Sequence, residues 1–149
     1  MTPWQYDLLK IFFAGLLVLI NGFFVGAEFA LVKIRQGRLE EMVKERRPFA
    51  STASWLVERL DASLSACQLG ITMASLGLGW IGEPAVAHLL RPLIFSIGIT
   101  SEIVVHGIAF TIAFAAITAI HLVIGEQAPK IAALRRPETA VLGLSLIHI

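Results

Sequence analysis

The chain has 149 residues, of which 56% are hydrophobic and only 15% charged, with a formal net charge of +1 and a mean hydropathy of +0.78. A soluble domain carries about 25% charged residues, so this composition excludes an ordinary soluble domain, and the near-neutral balance gives no electrostatic footprint for a nucleic-acid partner. One cysteine, Cys67, excludes an intrachain disulfide.

A helix needs about 20 predominantly apolar residues to cross a bilayer core. Three stretches meet that length, predicting an all-α polytopic membrane fold with spans at about 8–32, 62–82 and 103–124. The first is not a signal peptide. Its apolar run, Ile11 to Ala27, exceeds the roughly 7–15 residues of a signal h-region, and its basic flank follows the run instead of preceding it. Between the first two spans lies a mixed-charge segment with Leu39, Met42 and Val43 at helical spacing and then Pro48. This pattern predicts a surface helix, a break and a second short helix leading back to the membrane. The second span is expected to close at Glu83-Pro84, with short interfacial helical pieces from Ala85 to Glu102. The third is expected to end at Gly125-Glu126-Gln127-Ala128-Pro129-Lys130. A last apolar stretch, Thr139 to Ile149, spans roughly 16 Å as a helix, too short for a core of about 30 Å. The expectation is a truncated reading frame in which Leu146-Ile147-His148-Ile149 departs from native sequence.

Polar residues within spans should face protein or water. In the second span Ser65, Gln68, Thr72, Ser75, Gly79 and Gly82 follow steps of 3 and 4, one continuous helix face. The third span repeats this with Gly107, Thr111, Phe114, Thr118, His121 and Gly125. Two such seams are expected to pack against each other or to line an aqueous path. Ordinary membrane-helix packing explains small and hydroxyl residues equally well, whereas Gln68 and His121 are bulky polar groups that need partners. Gly22 and Gly26 form a GxxxG, read as a close helix–helix contact. Glu28, near the end of the first span, is read as a structural anchor able to pair with Arg35. Glu126, just before Pro129, resembles the carboxylates of interrupted-helix cation sites; pairing with Lys130 at the membrane surface is the equal alternative. Asn, Gln, Ser and Thr with a carboxylate suit Mg²⁺ better than zinc or copper.

Asn21-Gly22-Phe23-Phe24-Val25-Gly26-Ala27-Glu28-Phe29-Ala30-Leu31-Val32 resembles the opening motif of the CNNM/CorC membrane domain, also called the DUF21 or hemolysin-like family. Ala66-Cys67-Gln68-Leu69-Gly70-Ile71-Thr72 with Ser75-Leu76-Gly77-Leu78-Gly79-Trp80-Ile81-Gly82-Glu83-Pro84 resembles its second motif. Gly125-Glu126-Gln127-Ala128-Pro129-Lys130 resembles its third. The resemblance implies a homodimeric domain that moves Mg²⁺, with export coupled to sodium entry. It further implies Mg²⁺ contacts at Asn21, at Thr72 or Ser75, and at Glu126, with Ser65 and Gln68 on the same polar seam. Many relatives carry Asn where this chain has Thr72 and Ser75, which reduces the amide carbonyls available here. Cytoplasmic CBS domains that bind adenine nucleotide are expected in a full-length parent, and this segment carries no nucleotide site of its own.

The competing reading is a non-conducting membrane scaffold or regulator of another transporter. An enzyme is not expected. Cys67 has no neighbouring His, and His88, His106, His121 and His148 form no metal-ligand spacing. The hemolysin label attached to relatives names no lytic feature of this sequence.

Orientation follows from the basic residues. Lys33, Arg35, Arg38, Lys44, Arg46, Arg47 and Arg59 share one side with Lys130, Arg135 and Arg136, while Lys10 and Arg91 alone lie opposite. The positive-inside rule therefore places the 33–61 loop in the cytoplasm and the N-terminus outside the plasma (inner) membrane. A cysteine introduced at Glu45 should be shielded from impermeant thiol reagents in intact cells, and one at Ser96 should react. The reverse labelling pattern would invert the topology.

Overall fold

The structure, a computed structural model, describes residues 3–147; His148 and Ile149 of the closing tetrapeptide lie outside it. The fold is all-α. Helices α1 (Pro3–Lys33), α2 (Gln36–Lys44), α3 (Ala50–Glu58), α4 (Leu60–Ser96) and α5 (Glu102–Ile120) are followed by a π-helical stretch, His121–Gln127. Helices α6 (Ala128–Arg135) and α7 (Pro137–Ile147) complete the chain. Three rods are long and apolar enough to cross a membrane: Trp4–Lys33, Leu60–Ser96 and Glu102–Arg135. Within a bilayer core every backbone polar group must be bonded internally, which is why apolar runs of this length become helices. Their outer surfaces are apolar, with Trp80 at 83% and Ile103 at 86% exposure, a face suited to lipid.

The helices that carry the three expected spans run beyond those bounds, and the second and third do so most. Glu83-Pro84 does not close the second one, because α4 continues through Pro84 and Pro92 to Ser96. A proline inside a helix costs about 3 kcal/mol or more in lost bonding and steric conflict. Ala87 and Ile94, buried against Val105, Ala109 and Ala113 of α5, form the apolar cluster that offsets it. Gly98, at φ +90°, then turns the chain into α5. Nor does the third span stop at Ile124. It widens into the π-helical stretch and continues as α6 to Arg135.

The two polar seams also differ from expectation: they meet at one point only. Ser65, Thr72 and Gly79 of α4, and Gly107, Thr111 and Phe114 of α5, are exposed. Their hydroxyls need no partner helix. Ser65 donates to the Asp61 carbonyl, Thr72 to Gln68 and Thr111 to Gly107, each four residues back on its own helix. Toward α1 the α4 seam presents Gln68, Ser75 and Gly82, which meet Glu28, Asn21 and Ala14, and beside them Gly70 and Gly77 lie against Phe24 and Leu17. The seams touch where Ser75 meets His121.

The segment between the first two spans breaks as expected, at 45–49, where Arg46 and Phe49 adopt positive φ on either side of Arg47-Pro48. Leu39 of α2 and Ala53 of α3 are buried with Ala30, Ile34, Ala133 and Val141, so α1, α2, α3, α6 and α7 share one small core. At its edge Arg38 Nε lies 2.9 Å from Glu138 Oε1, and Arg38 Nη1 lies 3.0 Å from Glu41 Oε2. The Arg38 hydrogen bond holds the Glu138 carboxyl below its ordinary value, with Arg47 adding a weaker attraction. At the opposite end of the molecule Asp7, 5% exposed, meets His88 Nδ1 at 2.6 Å and ties α1 to the part of α4 beyond Pro84.

The GxxxG works within the chain. A Cβ on Gly22 would lie 2.9 Å from Pro129 Cγ, and the nearest atoms to a Cβ on Gly26 also belong to Pro129. The proline ring cannot rotate away, so Gly22→Ala forces α6 outward, and overpacking of this kind costs roughly 1–3 kcal/mol. Gly15→Ala, with nothing within 4 Å of its added Cβ, is the neutral control. Thermal melting in detergent should separate the two; equal melting temperatures would refute the contact.

The Arg38–Glu138 pair yields a pH prediction. A carboxyl whose folded-state pKa is depressed stabilises the fold above its unfolded value and loses that contribution as pH falls through the folded value. Wild type should therefore melt higher than Glu138→Gln at neutral pH, and the gap should close on acidification below the ordinary carboxyl value of 4.5. Both groups are partly exposed, so added salt should narrow the gap as well. A pH-independent gap would assign Glu138 a packing role.

Candidate functional site

The site is built around Pro129. Proline has no N–H, so it breaks the backbone bonding where the π-helical stretch, whose last donor Ala128 N–H bonds the Val123 carbonyl, passes into α6. Asn21 of α1 supplies a donor: its Nδ2 lies 2.9 Å from the Gly125 oxygen, and the residue is 1% exposed. Gly125 must be small for this reach. A Cβ there would stand 3.0 Å from His121 Cδ2 and 3.4 Å from Asn21 Nδ2. The adjacent Gly22 makes room for the proline ring itself.

With Nδ2 committed to Gly125, the amide oxygen of Asn21 turns toward α4 and accepts from Ser75 Oγ at 3.2 Å. Ser75 Oγ also lies 3.3 Å from His121 Nε2. A hydroxyl carries one hydrogen. Since that hydrogen is given to Asn21, the His121 contact requires Nε2–H as donor. Three rods are thereby joined through one buried amide.

Beside this chain lies a cavity of about 320 Å³ lined by Asn21, Val25, Glu28 and Phe29 of α1, Ile71 and Ser75 of α4, and His121 and Glu126 of the π-helical stretch. Glu28 does not pair with Arg35; it accepts a 3.5 Å hydrogen bond from Gln68 Nε2. Lys130 does not pair with Glu126; its Nζ sits 4.7 Å from the centre of the Phe29 ring. Among the described residues Glu126 makes no hydrogen bond or ion pair. Nor, among them, do three or more His, Cys, Asp or Glu side chains group closely enough to hold a metal by themselves. The cavity thus offers two carboxylates with neutral amide and hydroxyl oxygens, a hard-oxygen environment.

Of the residues expected from the sequence, Asn21, Ser75 and Glu126 come together here, and Gln68 reaches the cavity's rim through Glu28. Thr72 and Ser65 point elsewhere and bond their own helix. Gly22, Gly26 and Pro129 form the helix crossing beneath the site. Two lining roles were not read from the sequence. Glu28, expected as a structural anchor, and His121, expected as one member of a seam, both line the cavity.

Residues 12–148 match the family described as the cyclin M transmembrane N-terminal domain. The chain is 40% identical over 136 residues to UPF0053 protein YhdT of Bacillus subtilis (strain 168), covering 91% of this chain and 29% of that protein. It is 43% identical over 127 residues to UPF0053 protein YrkA of the same organism, covering 85% and 29%. With UPF0053 protein YugS, also from that strain, it shares 41% identity over 129 residues, covering 87% and 30%. The chain therefore spans about three-tenths of the length of these relatives. No solved structure matches it. Three long apolar rods crossed through Gly22, Pro129 and Asn21, together with a match over nearly the whole length, establish that this multi-pass membrane chain belongs to the cyclin M transmembrane N-terminal domain family.

Proposed function

We propose that this domain binds Mg²⁺ as cargo and carries it across the plasma (inner) membrane, with the N-terminus outside and the 33–61 segment cytoplasmic. The observation that carries the reading is the convergence of Asn21, Ser75 and Glu126, from three different rods, on one cavity that Glu28 also lines. Mg²⁺ takes hard oxygens in near-octahedral geometry and keeps several of its waters. A cavity of about 320 Å³ has room for such a partly hydrated ion, since a water occupies roughly 30 Å³. The carboxylates of Glu28 and Glu126 offset the charge that an ion brings into a low-dielectric span, and Asn21 and Ser75 contribute neutral oxygens. Export coupled to sodium entry, assembly as a homodimer within the lipid bilayer, and regulation through CBS domains of a full-length parent complete the proposal. They rest on the family motifs.

The experiment is Glu126→Gln, which keeps size and hydrogen bonding while removing the charge. It should lower the apparent Mg²⁺ affinity by at least about tenfold, equivalent to 1.4 kcal/mol. The measurements are a thermal-shift titration with MgCl₂ and Mg²⁺ flux into liposomes, with expression and elution volume unchanged. Wild-type Mg²⁺ responses from Glu126→Gln in both assays would remove the ion site and favour a non-conducting scaffold.

A further inference from the structure

We propose that His121 is a positioning residue for Mg²⁺, a role that rests on the ion-binding reading above. It holds the Ser75 hydroxyl hydrogen toward Asn21 Oδ1, so that the Ser75 and Asn21 oxygens each keep an acceptor position for the cavity. The inference comes from following the hydrogens. Asn21 Nδ2–H points at the Gly125 carbonyl, 2.9 Å away. Ser75 Oγ–H points at Asn21 Oδ1 across 3.2 Å, and His121 Nε2–H points at Ser75 Oγ across 3.3 Å. The chain begins at His121 and ends at Gly125, so both of its ends are fixed by the same π-helical stretch.

Direction is what matters to a cation. A serine oxygen has two acceptor positions and one hydrogen, and an amide oxygen has two acceptor positions. In this arrangement Ser75 uses one acceptor position for His121, Asn21 uses one for Ser75, and each oxygen keeps one in reserve. The amide N–H₂ group, which would repel a cation, faces Gly125. Without a donor at 121, the serine hydroxyl is free to rotate its hydrogen into the cavity, and an entering ion must first reorient it. Preorganised dipoles cost no such reorientation. His121 need not touch the ion for this role.

The test compares His121→Leu, which removes the donor, with His121→Gln, which keeps an N–H donor of similar reach. Measurements are the half-saturating Mg²⁺ concentration and the maximal rate of liposome flux, alongside MgCl₂ thermal-shift titrations. His121→Leu should raise the half-saturating concentration about tenfold, with the effect falling there more than on the maximal rate. His121→Gln should recover most of the loss. Unchanged half-saturation in His121→Leu, or equal damage from both variants, would overturn the proposal. If His121→Leu does not fold, ¹⁵N NMR of the wild-type imidazole decides: an Nε2–H form supports the chain, and a neutral ring protonated at Nδ1 refutes it. Glu126→Gln run in parallel separates the two ideas. Loss of the Mg²⁺ response there, with His121→Leu unaffected, removes only the positioning role. A wild-type response from Glu126→Gln removes the ion reading and this inference with it.

Discussion

A proline inside a membrane span removes one backbone donor where the π-helical stretch passes into α6, and the rest of this structure depends on the side-chain bond made to a carbonyl beside that break. In hydrocarbon an unbonded backbone group costs several kcal/mol. Beside the break the side-chain amide of Asn21, delivered from the first span, bonds the Gly125 carbonyl at 2.9 Å. The solution dictates its surroundings. Gly22 must be bare to admit the Pro129 ring, Gly125 must be bare to admit the amide, and the third span widens into π-helical geometry over His121–Gln127. Single π-type widenings in helices recur at functional sites for this reason, since they expose backbone and re-aim side chains.

The same bond turns packing into chemistry. Once Asn21 is anchored by its N–H₂ group, its oxygen has one direction to face, and Ser75 and His121 follow in order. Glu28 lies seven residues after Asn21, about two helical turns along α1, and Glu126 directly follows Gly125. Anchoring Asn21 to Gly125 thus brings the two carboxylate-bearing segments to one cavity. Other hydroxyls in the spans take no part, because Ser65, Thr72 and Thr111 are bonded to their own helices. Of the buried polar side chains among the described residues, Asn21 lies at the crossing and Asp7 at the far end of α1.

The ends of the molecule are held by polar side-chain pairs. Arg38, Glu41 and Glu138 join α2 to the start of α7 at one end, and Asp7 and His88 join α1 to α4 at the other. Neither set reaches the crossing. The mid-span assembly is therefore governed by shape and hydrogen bonding, and the α2–α7 end by partly exposed ion pairs that salt screens.

Length and hydropathy alone determined that the chain is helical and spans a membrane three times, because a bilayer core admits no other use for such apolar runs. Pro48 and the spacing of Leu39 and Met42 determined the two short helices between spans, since local sterics and periodicity act over a few residues. The three motifs also imply contacts at Asn21, at Thr72 or Ser75, and at Glu126, of which Thr72 bonds its own helix. What the sequence left open was where helices end and which faces meet. Pro84 and Pro129 read as terminators, yet both sit within longer rods, because contacts from residues far away in sequence offset the local cost. Periodicity put Ser65, Thr72 and Ser75 on one seam without distinguishing a hydroxyl bonded to its own helix from one bonded across. Only the tertiary structure decided that Ser75 turns to Asn21 and that Glu28 shares a cavity with Glu126. Those contacts join residues 54 positions apart and more, and no local rule encodes them.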